Sequence, residues 1–387
     1  MDSKKIIRQI NTLFQEYLDL FPVTGIVGPR QVGKTTLTKE MANNQEFLYL
    51  DMERQADRAK LSQDAAYFLA QFKNQCVIID EIQFMPELFN ELRGIVDNDR
   101  RPGRFIILGS ASPDLIRGSS ETLAGRIGYL ELSPFNLNEV EDLKKLWVRG
   151  GFPDSYLAPS DKASKLWRRN FIQTYIQRDL GLLGLNTDIK LMERFWQLLA
   201  STQGALLNAQ QFGRAIDVDR KTITHYINFL EGAFIIRILQ PWYKNLKKRL
   251  VKSPKVYIRD TGILHSLLGL DSYESILNHI IVGNSWEGFV IEQIINSYEE
   301  ERQFWFYRTH QGAECDLLIE KNGEVLAAIE IKFGTSPSVS KGFHISMEDT
   351  GAKQGFIIGN GEETYKIEEK ITVTNLNHFV KEFIPML

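Results

Sequence analysis

The chain has 387 residues and a formal charge of −3, with 43% hydrophobic and 25% charged residues. That is the composition of an ordinary globular protein, and the length calls for two or three domains. A slightly acidic balance excludes a globally basic nucleic-acid binder and leaves room only for a local basic patch. The longest apolar runs, "CVIID" and "RFIILG", are far shorter than the roughly 20 residues that cross a bilayer, so no membrane association is expected. The N-terminal "MDSKKIIRQINTLF" lacks an apolar core followed by a cleavage site, so no signal peptide is expected either. Cys76 and Cys315 fall in strand-like runs, which suits buried free thiols in a reducing cytoplasm.

The first element that carries chemistry is "VTGIVGPRQVGKTTLTKEM". Val23 to Val27 read as a buried strand and "TTLTKEM" opens a helix, so G-x-x-x-x-G-K-T lies in the strand–loop–helix setting that a phosphate-binding loop requires. The binding segment is Gly28, Pro29, Arg30, Gln31, Val32, Gly33, Lys34, Thr35 and Thr36. Its glycines let backbone N–H groups wrap phosphates, Lys34 reaches the β- and γ-phosphates, and Thr35 ligates Mg²⁺. ATP and Mg²⁺ are therefore the expected ligands. Downstream, "CVIIDEIQ" is a buried strand ending in two acids. Asp80 is placed to hold the Mg²⁺ shell, and Glu81 to orient and deprotonate the attacking water. A third strand, "RFIILGS", ends in Ser110, whose hydroxyl is a candidate for contact with the γ-phosphate or the water. Arg126 follows in "TLAGRIGYLEL".

This order of parts resembles an AAA+-type P-loop ATPase over residues 1–135. The resemblance implies an α/β fold with a parallel sheet, a sensor role for Ser110, and a role for Arg126 at the nucleotide of a neighbouring copy, hence a homo-oligomer. A glycine-flanked arginine at a turn is also commonly structural. Residues 136–187 read mostly as helices, which suits a small helical lid.

From 188 to 260 the pattern is three helices and a strand, with a turn at "DVDRK". This resembles a helix-turn-helix with a wing, whose third helix would present Arg220, Lys221, Thr222 and His225 to DNA or RNA. The following "YKNLKKRLVKSPK" carries Lys244, Lys247, Lys248, Arg249, Lys252 and Lys255 without an acid and is a candidate for phosphate neutralisation. Winged helices also serve as protein-contact modules, and a basic loop can simply be solvated. With "GGFPD", "SPKVYIRDTGILHSLLG" and "NSWEGFVIEQI" added, the chain resembles a prokaryotic family in which an AAA+-type ATPase precedes a C-terminal domain of unknown function.

Residues 261–387 contain "ECDLLIEKNGEVLAAIEIK", two strands around a tight turn. A two-residue Asn322-Gly323 turn mixes polar with apolar partners. A three-residue loop pairs Glu320 with Glu324, keeps the apolar faces together and gathers Asp316, Glu330 and Lys332 on one face. That set resembles a restriction-endonuclease-like site. The resemblance implies Mg²⁺ held by Asp316 and Glu330, with Glu287 of the preceding helix as a further ligand and Lys332 as a catalytic group. The alternative is the wet face of an amphipathic hairpin. The expected function is thus an ATP-binding and hydrolysing protein that engages nucleic acid and cleaves it with Mg²⁺. The alternative is a nucleotide-dependent switch that binds protein and has a non-catalytic C-terminal domain.

Overall fold

The computed structural model describes residues 6–41, 46–111, 123–243, 250–335 and 338–387. They form two compact units. One takes the chain up to Pro134 together with Leu182–Leu185 and Asn228–Ile235. The other takes Phe135–Gly181, Asn186–Ile227 and Ile236–Leu387, so most of the segment 136–187 belongs to the second unit.

The first unit contains α1 (Asn11–Leu20), β1 (Val23–Val27), α2 (Lys34–Met41), β2 (Phe47–Asp51), β3 (Cys76–Asp80), α3 (Leu88–Asn98), β4 (Phe105–Gly109) and β5 (Ile127–Glu131). Its strands pair in the order β2-β3-β4-β1-β5, every pair parallel. Unbroken apolar strands such as "FIILG" suit a sheet covered on both faces, and successive side chains point to opposite sides. Ile78, Ile106 and Leu108 pack with Phe14 of α1 and Leu37 of α2. Val77, Ile79 and Ile107 pack with Leu88, Leu92 and Val96 of α3. Each such side chain contributes roughly 1.5–3 kcal/mol when fully buried. The strand order has a direct consequence for chemistry. Because β4 lies between β1 and β3, the residues that follow all three strands meet along one edge of the sheet.

The second unit contains α4 (Leu143–Arg149), α5 (Ile189–Ser201), α6 (Ala209–Ile216) and the part of α7 (Arg220–Gly232) up to Ile227. Asp188 and Asn208 cap α5 and α6 by accepting backbone N–H bonds. The link from α6 to α7 turns at Asp217, which takes a left-handed conformation with φ 61°, and Asp219 accepts from Thr222 N at 2.7 Å. Phe195 of α5 meets Phe212 of α6 and Tyr226 of α7 with ring centroids 6.3 and 5.6 Å apart. The antiparallel strands β6 (Ile236–Leu239) and β7 (Lys255–Ile258) follow, and Leu206 adds a bridge to Lys255.

Beyond α8 (Thr261–Leu267) and α9 (Val282–Asn296), the chain enters a mixed sheet of β8 (Gln303–Arg308), β9 (Glu314–Lys321) and β10 (Glu324–Ile331). After α10 (Lys341–Thr350), the sheet is completed by β11 (Gln354–Gly359), β12 (Tyr365–Glu368) and β13 (Ile371–Asn375), in the order β12-β13-β11-β10-β9-β8. The β9–β10 hairpin departs from the expected three-residue loop. Asn322 and Gly323 both have positive φ, 54° and 81°, and form a two-residue turn with Lys321 opposite Glu324. The expected polar–apolar clash is avoided because the register shifts between Val325 and Ala327, which brings Leu318 opposite Ala328 and Leu317 opposite Ile329. A bulge thus accomplishes what the longer loop was expected to do. Of the two cysteines, Cys315 is buried and Cys76 half-buried, and both are free thiols.

A polar chain runs through the core of the second unit. Trp147 Nε1 donates to Ser285 Oγ at 3.0 Å, and Ser285 Oγ lies 2.7 Å from His265 Nε2. The other ring nitrogen, Nδ1, lies 3.4 Å from Val148 O. This network suits a neutral imidazole protonated on Nδ1, and burial lowers the His265 pKa from 6.5 to about 3. In the unfolded chain the ring takes a proton near pH 6.5, so stability is full above that pH and is lost as pH falls towards 3. The expected slope is about 1.4 kcal/mol per pH unit. Urea unfolding between pH 6.5 and 4 is expected to show a shallower acid slope for His265→Gln than for the wild type.

Candidate functional site

The phosphate loop connects β1 to α2. Gly28 has φ 150° and Gly33 φ 99°, with Gln31 also left-handed at 64°. A Cβ on Gly28 would lie 2.3 Å from Leu132 O, so only glycine fits where the loop leaves the strand. Arg8 braces the far side by donating to Val32 O at 3.1 Å and also to Ser133 O. Lys34 is buried and donates to Gly28 O at 2.9 Å, Pro29 O at 3.0 Å and Ser110 Oγ at 3.2 Å. Burial lowers its pKa below the ordinary lysine value, while Glu81 and Asp80 oppose that shift. Arg30 pairs with Glu53. Thr36 is exposed on the first turn of α2.

The acids arrive from β3. Asp80 Oδ2 accepts from Thr35 Oγ1 and from Tyr49 Oη, each at 2.6 Å. Burial and the hydrogen bond to Asp80 push the Tyr49 phenol above its ordinary pKa. Glu81 occupies the left-handed region at φ 53°, a conformation that costs a non-glycine residue on the order of 1–2 kcal/mol. In this position its carboxylate accepts from Ser110 Oγ at 2.9 and 3.0 Å and from Gln83. The Ser110 hydroxyl therefore links the Lys34 ammonium to the Glu81 carboxylate.

The residues fit ATP with Mg²⁺. The loop has the left-handed backbone that lets N–H groups converge, and the Thr35–Asp80 oxygen pair is of the kind Mg²⁺ takes. When bound, Mg²⁺ would neutralise phosphate charge beside Thr35 and Asp80.

Arg126 lays one edge of its guanidinium on Asp97, with Nε 2.6 Å from Oδ1 and Nη2 3.0 Å from Oδ2, and its Nη1 donates to Ala124 O at 2.9 Å. This side chain is thus tied within its own chain, and the hydrogen bond lowers the Asp97 pKa. Two further arginines are held within the second unit. Arg149 bonds Asp161 and Ala158 O, and Arg168 bonds Val148 O.

The second unit assembles its own cluster. Lys255, read from sequence as part of a basic surface loop, is 3% exposed and turned inward. Its Nζ lies 2.9 Å from Glu287 Oε1, 2.9 Å from Glu314 Oε1 and 3.7 Å from Asp316 Oδ1. Tyr257 Oη donates to Glu287 Oε1 at 2.6 Å, and Ile331 N to Asp316 Oδ2 at 2.8 Å. Burial alone would lower the Lys255 pKa, but Tyr257, Glu287, Asp316 and Glu314 hold it well above the usual value. Burial, reinforced by Glu287, raises Asp316 to about 7. Glu330 faces Lys332 Nζ at 2.8 Å and Ser340 Oγ at 3.4 Å. Among the described residues, no group of three metal-ligating side chains is positioned to hold a metal. Glu287, Asp316 and Glu330 do not fit a shared divalent ion in this arrangement, because Lys255 already stands among the first two and Lys332 takes the third. Of the remaining basic segment, Lys252 is exposed, and Lys244, Lys247, Lys248 and Arg249 lie outside the described residues.

Residues 21–141 match the AAA domain family, and residues 140–274 and 282–379 match two families described as domains of unknown function, DUF8612 and DUF4143. Uncharacterised proteins of Mycobacterium tuberculosis and Mycobacterium bovis are each 38% identical over 352 residues, covering 90% of this chain and 79% of theirs. The chain belongs to the family of these mycobacterial proteins. Its first unit carries an AAA-type P-loop ATPase domain. The Walker-type ATPase PABY2304 of Pyrococcus abyssi is similar at a TM-score of 0.43 and 14% identity, over 68% of this chain and 96% of its own. Among the described residues no helix is long and apolar enough to cross a membrane.

Several members of the two sites carried no signal in the sequence. Tyr49 sits in an ordinary strand, and only the β2–β3 pairing that sets Tyr49 opposite Ile78 and Asp51 opposite Asp80 brings it near the acid. Gln83 directly follows "DEI" and was the most accessible clue. Lys255 and Tyr257, two apart on one short strand, were hidden by the basic run before them. Lys255→Met leaves three half-buried carboxylates without the buried cation they share. It is expected to lower stability by roughly 3–5 kcal/mol, measured as a reduced urea midpoint.

Proposed function

We propose that this protein hydrolyses ATP in its first unit and uses the nucleotide state to control a grip on nucleic acid through α7. The hydrolytic half rests on Ser110, whose hydroxyl links the Lys34 ammonium to the Glu81 carboxylate, and on the Thr35–Asp80 pair beside them. Glu81 is the candidate general base. It would accept a proton from water as the water oxygen forms a bond to the γ-phosphorus and the bond to the β–γ bridging oxygen breaks, releasing ADP. Ser110 positions that carboxylate, and Lys34 offers its ammonium to the charge that gathers on the phosphate oxygens.

The observation that carries the nucleic-acid half is the face of α7. Ile223, Tyr226 and Ile227 are buried, whereas Arg220, Lys221, Thr224 and His225 are exposed at the start of the second helix of a tight helix–turn–helix. Thr222, expected on that face, is half-buried. Such a face supplies charge for phosphates and hydrogen-bonding groups for bases. Because the whole chain is acidic, this grip would be local and salt-dependent.

Lys34→Ala is expected to abolish ATP turnover. Glu81→Gln should cut it by about 10²–10⁴-fold while nucleotide binding, followed by a fluorescent analogue, changes little. Loss of binding in Glu81→Gln would remove it from the role of base. For the partner, the double variant Arg220→Glu and Lys221→Glu is expected to weaken binding to duplex DNA or RNA and to lower the salt slope by roughly one per charge lost. If binding and its salt slope are unchanged, and nucleic acid does not alter the ATPase rate, the switch that binds protein is the better reading.

A further inference from the structure

We propose that Lys255 is the resident cation of the acidic cluster in the second unit, standing where a nuclease of similar residue pattern would carry a divalent metal. The cluster then acts as an internal ion-pair lock and not as a metal-dependent cleavage site. Three carboxylates from two elements converge on one ammonium: Glu287 of α9, and Glu314 and Asp316 of β9. Lys255 itself comes from β7, the strand that also pairs with β6 and with Leu206. One buried charge thereby ties the strand behind the helix–turn–helix to the helix and the sheet that follow it.

The other contacts of these carboxylates suit a lock. Glu287 Oε1 is shared by Lys255 and the Tyr257 hydroxyl, and Glu314 Oε2 lies 3.6 Å from Arg308 Nη1. Asp316 Oδ2 takes the Ile331 N–H, and Glu330 is turned to Lys332 and Ser340. A divalent ion placed among Glu287, Asp316 and Glu330 would have to displace these donors and sit against an ammonium of like charge. In low dielectric that repulsion is strong. The acid-x-lysine pattern at Glu330–Lys332 is therefore kept while the space for its metal is taken by Lys255.

The test uses the nucleotide-free full-length protein and counts bound Mn²⁺ by electron paramagnetic resonance. Wild type and Asp316→Asn are expected to bind the same amount. Lys255→Met is expected to bind about one equivalent more, lost again when Asp316→Asn is added, and Mn²⁺ should raise the urea midpoint of Lys255→Met but not of wild type. Mn²⁺ held by wild type and lost in Asp316→Asn would overturn the proposal. So would Mg²⁺-dependent DNA or RNA cleavage abolished by Asp316→Asn or Lys332→Ala, or a folded Lys255→Met that gains no Mn²⁺. If Lys255→Met does not fold, the comparison of wild type with Asp316→Asn still decides.

Discussion

A lysine ammonium buried away from water has to be surrounded by oxygens, and this constraint organises both units of the protein. In the first unit the burden falls on Lys34, which finds the carbonyls of Gly28 and Pro29 and the hydroxyl of Ser110. Neutral oxygens of this kind hold the charge without cancelling it, so the ammonium can still act on an anion brought to the loop. In the second unit Lys255 meets three carboxylates and is cancelled by them. The same side chain therefore does opposite work in the two places, and its partners decide which.

The phosphate site follows from the order of strands. With β4 between β1 and β3, Ser110 has nowhere to be except between Lys34 and Glu81, and its single hydroxyl can accept from one and donate to the other. Tyr49 and Thr35 both direct hydroxyls at one oxygen of Asp80. The left-handed backbone at Glu81 turns its carboxylate towards Ser110, so a small local strain at the end of β3 sets the direction of the proposed base. A sheet buried on both faces keeps these strand ends from shifting relative to one another.

The C-terminal hairpin shows how a correct pattern can be read in the wrong register. Alternation in "ECDLLIEKNGEVLAAIEIK" required apolar residues to meet apolar residues, and they do: Leu317 with Ile329 and Leu318 with Ala328. The three-residue loop was unnecessary because Asn322-Gly323 forms the tighter turn and a bulge near Leu326 absorbs the mismatch. A bulge is a tertiary remedy. Nothing local to Val325–Ala327 distinguishes it from regular strand.

What the sequence determined by itself was whatever depends on neighbours along the chain. That includes the phosphate loop after a buried strand, the acids closing the next strand, the helices around Asp217, and the acid-x-lysine at Glu330 and Lys332. These are set by backbone permissiveness and periodicity, which act over a few residues. Only the tertiary structure decided which distant groups share an oxygen or a charge. Tyr49 reaches Asp80 because two strands pair in parallel register, Arg126 is tied to Asp97, and Lys255 leaves an apparently basic loop for a cage of acids. The physical reason is that a charge is satisfied through space, and its partner, often far along the chain, is named by the fold alone.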